Sequence, residues 1–219
     1  MRFLLALGPC AALFALITWQ IAVDGPLGRA DRHISRALEH PDAFSGFLSD
    51  LGSFTVAVPV LVVFLVHVSW RARRSGTPRW WLSAVAGAVT MCAVPAWVAP
   101  LKALVDRPGP PGMDGSGYYP SGHTATAAIA YGVSVLLLLP WLESVRARRA
   151  FTVGCAVVNA SVGFGLVRHG YHWGLDVVGS WLLSAMLLTT LGLVFPALSR
   201  KPGAPAALGA ARVRATPDR

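Results

Sequence analysis

The chain has 219 residues, of which 54% are hydrophobic and only 13% charged, whereas a soluble domain of that length carries about 25% charge. The apolar residues are gathered in long blocks, which points to a membrane protein and away from a soluble enzyme built on one large core. The formal charge of +9 is spread between those blocks, where topology signals lie, and no compact basic domain of the kind that binds nucleic acid is present.

A helix needs about 20 apolar residues to cross a bilayer core. Six blocks qualify or come close: 3–23, 53–70, 81–101, 122–141, 150–168 and 177–197. The first is long for a signal peptide and has no small-residue cleavage site, so it is read as a retained span. Residues 24–52 form a loop whose amphipathic stretch, "RADRHISRALEH", is expected to lie on the membrane surface. Pro95 and Pro100 are expected to bend or end the third span. The fifth carries Asn159, Ser161 and several glycines, and is expected to pack inside the bundle. Trp70, Trp80, Trp81, Trp141 and Trp173 stand near block ends, as interfacial aromatic rings do. Cys10, Cys92 and Cys155 lie within apolar blocks with neither metal nor disulfide spacing and are read as packing residues. The tail, "KPGAPAALGAARVRATPDR", is expected to be disordered, leaving one membrane domain over 1–199 and a tail over 200–219.

Lys and Arg fix a direction. With the N-terminus inside, the inner segments hold thirteen of them and the outer segments six: Arg29, Arg32, Arg36, Lys102, Arg107 and Arg168. The positive-inside bias puts both termini in the cytoplasm. The expected fold is all-α, a six-span helix bundle.

That topology gathers polar residues on the outer face. The loop at 102–121 and the loop at 169–176, with their edges, hold Lys102, Asp106, Arg107, Ser121, His123, Arg168, His169, His172 and Asp176. Ser121 precedes an apolar run and fits a helix N-cap. Free N–H groups and the positive dipole end would then face an anion, with Gly122 allowing close approach and His123 on the first turn. Taken alone, the turn reads equally as a cap beside an interfacial histidine. His172 and Asp176 are four apart, the spacing of one helix face, so the carboxylate can hold one ring nitrogen and free the other as a base or nucleophile. His123, His172 and Asp176 would also suit a metal, but three nearby cations favour an anion instead. Arg107 precedes Pro108 and belongs to the loop, while Lys102 ends the third span and reads equally as a snorkelling residue.

The stretches "LKALVDRPGPP", "YYPSGHTATAAIAYG" and "RHGYHWGLD" resemble the motifs of the type 2 phosphatidic acid phosphatase superfamily, the integral-membrane lipid phosphate phosphatases. Pro120 to His123 supply the Pro-Ser-Gly-His motif entire, and His172 and Asp176 the second half of the Ser-Arg…His…Asp motif. The resemblance implies a six-span fold and hydrolysis of a lipid phosphate or polyprenyl diphosphate at the outer face without a cofactor or metal. It implies that His172 attacks phosphorus, Asp176 orients it and His123 protonates the leaving oxygen. Lys102, Ser121, the Gly122 amide and an arginine would hold the phosphate. Two departures stand out. Gly109 replaces the arginine expected after Lys102, and Gly165-Leu166 replaces Ser-Arg. Arg107 and Arg168 each stand two residues from the vacated position and are the expected substitutes. Transfer of the phosphoryl group to an alcohol, and lipid-phosphate binding or transport without turnover, are the alternative functions.

Overall fold

The computed structural model describes residues 2–198, so the tail expected over 200–219 lies outside the described residues. Among them the chain is all helical. The long helices are α1 (Arg2–Ala22), α4 (Phe54–Arg74), α5 (Leu82–Val105), α6 (Gly122–Leu138), α7 (Val145–Arg168) and α8 (Gly174–Leu198), and two short ones, α2 (Pro26–Leu38) and α3 (Ala43–Asp50), link α1 to α4. Each apolar block forms one long helix. Helices α4 to α8 are each long and apolar enough to cross a membrane, and the Leu7–Ala22 part of α1 passes the same test when joined to α2 across an 83° bend. The chain is therefore an integral membrane protein with five or six candidate spans.

The helix at the centre is α6, with 61% of its apolar stretch buried against 22% for α7. Its small residues Ala125, Ala127, Ala128 and Ala130 are buried and let neighbours approach closely. It packs on α4, α5, α7 and α8. The expectation that α7 would be the interior helix is thus corrected: its glycines serve local approaches, and most of its surface faces outward. The prolines of α5 do not end it, since the helix continues through Pro95 and Pro100 to Val105, as membrane helices tolerate.

The α1–α4 connection, read from sequence as a loop with one surface stretch, holds two helices. Asp42 caps α3 in a capping box, accepting from the Ser45 amide at 2.6 Å while the Ser45 hydroxyl accepts from the Asp42 amide at 3.1 Å. Helix α3 packs on α7, and α2 contacts α8. Both therefore lie at the end of the bundle where α7 and α8 are joined.

Candidate active site

The turn between α7 and α8 is built by backbone bonds. Gly170 takes φ +79°, a conformation suited to glycine. His169 donates to the Gly165 carbonyl at 2.8 Å, and the amides of Tyr171 and His172 both donate to Leu166, at 2.9 and 3.2 Å. His172 is thereby set just before α8, with Asp176 in that helix's first turn. Asp176 is 0% exposed. Its Oδ2 accepts from the Trp173 amide at 3.1 Å and lies 3.2 Å from His172 Nδ1, while Oδ1 accepts from Arg107 Nη1 at 2.5 Å. With Nδ1 held by the carboxylate, Nε2 is the nitrogen available for chemistry.

The start of α6 is stitched to the start of α8. Ser121 caps α6, accepting from the Thr124 amide at 3.3 Å, and its own amide donates to the Asp176 carbonyl at 3.2 Å. The Ser180 hydroxyl lies 2.8 Å from the carbonyl oxygens of both Ser121 and Asp176. These bonds bring together two motifs separated by some fifty residues of sequence. The amides of Gly122 and His123, the first two of α6, have no intrahelical partner, as at any helix N-terminus. His123 is exposed and lies within electrostatic reach of His172, Lys102 and Asp50. Lys102, in the last turn of α5, donates to the Gly117 carbonyl at 2.6 Å, and its charge is felt at Asp176. Six expected site residues, Lys102, Ser121, Gly122, His123, His172 and Asp176, thus gather at one end of the bundle.

The two arginines are engaged with carboxylates. Arg107 has a side chain only 2% exposed, with Nη1 on Asp176 and Nη2 on Asp31 at 2.7 Å. Burial pushes the Asp31 carboxyl above the usual range, against the pull of the Arg107 guanidinium. Arg168 donates from Nε and Nη2 to Asp42. Helix α7 is regular as far as Arg168, and two residues of helix turn a side chain by about 200°, so Arg168 does not take over the direction of position 166. Leu166 itself is buried with Ala127, Val162 and Val177.

The glycines at the departures have steric reasons. A Cβ on Gly165 would lie 2.8 Å from both the Ser45 carbonyl oxygen and the Ser49 amide nitrogen of α3, and one on Gly109 would lie 2.6 Å from the Tyr118 ring. The Tyr118 ring in turn meets His172 edge-on, with centroids 5.7 Å apart. Trp173, expected at the membrane interface, is instead 2% exposed. Its indole donates to the Pro108 carbonyl at 2.9 Å, and the guanidinium carbons of Arg36 and Arg107 each lie 5.7 Å from its ring centroid. His169 is held by the Ser45 hydroxyl at 2.9 Å. Sequence reasoning missed Asp31, Asp42 and Tyr118. For Asp42, the spacing to Ser45 is a capping signal, whereas Asp31 reads as one charge on an ordinary polar face.

The family model for the PAP2 superfamily matches residues 84–200, more than half of the chain. Among solved structures, the fold is similar to the crystal structure of a transmembrane PAP2-type phosphatidylglycerolphosphate phosphatase from Bacillus subtilis, with a TM-score of 0.70 and 20% identity over 87% of this chain and 97% of that one. At that identity the likeness is one of fold. Comparison with curated proteins gave no match.

Proposed function

The chain belongs to the PAP2 superfamily, and from that premise we propose that it hydrolyses a lipid phosphate or diphosphate at the outer membrane face, with both termini in the cytoplasm. The observation that carries this reading is a groove of about 620 Å³ between α4, α5 and α6. Its lining runs from Leu65 and Ala88 past Met91 and Val98 to Lys102 and Gly122. It joins apolar surface at membrane depth to the cation and the helix end of the phosphate corner. An alkyl tail in the groove would deliver its phosphate to that corner.

The steps follow from the side chains present. His172 Nε2 attacks phosphorus while the bond to the leaving oxygen breaks, and His123, entering protonated, gives that oxygen its proton. Asp176 holds Nδ1 and offsets the positive charge of the phosphorylated ring. Water then attacks phosphorus, losing its proton to His123, and the P–N bond breaks to release phosphate and restore His172. Lys102, the Ser121 hydroxyl and the Gly122 amide hold the phosphate oxygens, in a reaction governed by positioning and charge stabilisation. These donors supply positive charge from the protein itself, so the reaction is assigned no metal.

Phosphate release from phosphatidate, phosphatidylglycerol phosphate and a polyprenyl diphosphate, measured in detergent with a chelator present, tests the reading. Release by wild type and its loss in His172→Ala are expected. The carboxylate pairing of both Arg107 and Arg168 favours one second reading, a lipid-phosphate binder without turnover. It predicts no release from any of the three lipids and phosphate-dependent binding that survives His172→Ala. Transfer to an added alcohol, in place of release to water, would mark the transferase.

A further inference from the structure

We propose that Asp31 and Arg107 are positioning residues for the reaction: with Asp176 they form a buried chain of three charges that sets the net charge behind His172. The proposal rests on His172 being the nucleophile. The chain runs from Asp31 Oδ2 to Arg107 Nη2 at 2.7 Å, and from Arg107 Nη1 to Asp176 Oδ1 at 2.5 Å, with Asp176 Oδ2 3.2 Å from His172 Nδ1. The three side chains are 8%, 2% and 0% exposed.

Charge balance gives the chain its purpose. An Arg107–Asp176 pair alone is neutral. It could orient the imidazole but would offset little of the positive charge that arises when Nε2 bonds to phosphorus. The second carboxylate restores a net charge of −1 at a buried site, where such charges interact far more strongly than in water. Charged groups near His172 include Lys102 and His123, with Arg36 over Trp173 and Asp50 within reach of His123. Lys102 and Arg36 are cationic and His123 becomes so in the reaction, which gives an excess negative charge behind the ring its use. Arg107 directs Nη1 and Nη2 at the two carboxylates and its side chain is 2% exposed, which ties it to the chain of charges.

Helix α2 is fitted to this role. Asp31 Oδ1 accepts from the Leu175 amide at 3.0 Å and the Ser35 hydroxyl accepts from the Gly174 amide at 3.0 Å, so one surface helix pairs two of the free first-turn donors of α8. A Cβ on Gly174 would lie 2.9 Å from Asp31 Oδ1, so glycine at that position permits the approach.

A double-mutant cycle on the full-length protein tests the proposal. Asp31→Asn keeps the acceptor for the Leu175 amide and removes the charge together with the acceptor for Arg107 Nη2. It is expected to lower kcat on the best lipid of the panel by about tenfold or more, within the range for members of one ion-pair network, with KM within about twofold. Arg107→Met leaves two carboxylates unbalanced and is expected to lower kcat further. Combining the two leaves Asp176 alone, again at −1, so the double variant should turn over about tenfold faster than Arg107→Met. A double variant no faster than Arg107→Met, wild-type kcat in Asp31→Asn, or an Arg107→Met effect confined to KM would each overturn the proposal. If Arg107→Met does not fold, the kcat and KM of Asp31→Asn decide alone. Orthovanadate affinity, measured on the same proteins, separates this proposal from the catalytic reading. Affinity that follows the charge pattern without phosphate release from any lipid would sink catalysis, and with it the positioning role, leaving the charges to tune anion binding alone, whereas affinity indifferent to the pattern would sink the chain of charges itself.

Discussion

Arg168 donates from Nε and Nη2 to one oxygen of Asp42, at 3.1 and 2.9 Å, and so ties the end of α7 to the cap of α3. Both side chains are about one-third exposed or more, and such rim pairs are screened by solvent and contribute little. Arg168→Ala is therefore expected to leave kcat and KM within about fivefold of wild type. Lys102→Ala, which removes a charged donor at the phosphate corner, should lower kcat/KM by about a hundredfold or more. Steady-state kinetics in mixed micelles separate the two, and an Arg168 effect as large as that of Lys102 would return Arg168 to the phosphate.

The same pair gives a stability signature in pH. The Ser45 amide, and after it the Arg168 guanidinium, hold the Asp42 carboxyl down at about 2, against about 4 in an unfolded chain. A depressed carboxylate stabilises the fold above the unfolded value, and that contribution is lost as pH falls toward the folded one. The melting temperature of Asp42→Asn should lie below that of wild type at pH 6, and the gap should close between about pH 4 and 2. A gap independent of pH would mean that the cap acts by hydrogen bonding alone. High salt should narrow it, since the pair is exposed.

Restoring the missing motif residues should harm the protein. Gly165→Ser puts an atom against the α3 backbone, and overpacking of this kind costs about 1 to 3 kcal/mol. Gly109→Arg must push the Tyr118 ring out of its edge contact with His172. Lower melting temperature is expected for the first and lower kcat for the second. A gain in kcat/KM for Gly109→Arg would show that the loop can be re-routed and that the arginine is simply missing.

The long helices and the core of the site were legible in the sequence because each signal is local: apolar length for the helices, capping chemistry at Ser121, the four-residue spacing of His172 and Asp176. The rest depends on contacts across the chain. Asp31 sits 76 residues from Arg107, and nothing in the pattern of α2 separates an inward carboxylate from a solvated one. The direction of Arg168 turned on whether α7 remained helical as far as that residue, and it does, ending just beyond at Gly170. The burial of α6 in place of α7 reflects which helix the others surround, and apolar content alone does not rank neighbours.

His123 is exposed on the first turn of α6, and in the proposed mechanism it protonates the leaving oxygen. His123→Gln removes the proton donor while keeping a polar side chain, and the loss of a general acid lowers kcat by about 10² to 10⁴-fold. The loss should shrink with a nitrophenyl phosphate, whose leaving oxygen needs no proton. Equal losses on both substrates would assign His123 to phosphate binding instead.

The groove makes a prediction that separates tail from headgroup. Cys92 is exposed and lines it, ten residues along α5 from Lys102, a distance of about 15 Å in helix. An indole at that depth would obstruct a long tail and leave the phosphate corner untouched. Cys92→Trp is expected to raise KM for a long-chain lipid phosphate by about tenfold, because the tail loses about two buried methylenes at about 0.8 kcal/mol each. The same variant should hydrolyse a water-soluble short-chain phosphate at the wild-type rate. Equal effects on both would mean that the substitution disturbs α5 itself, and an effect on neither would mean that the tail takes another path to Lys102.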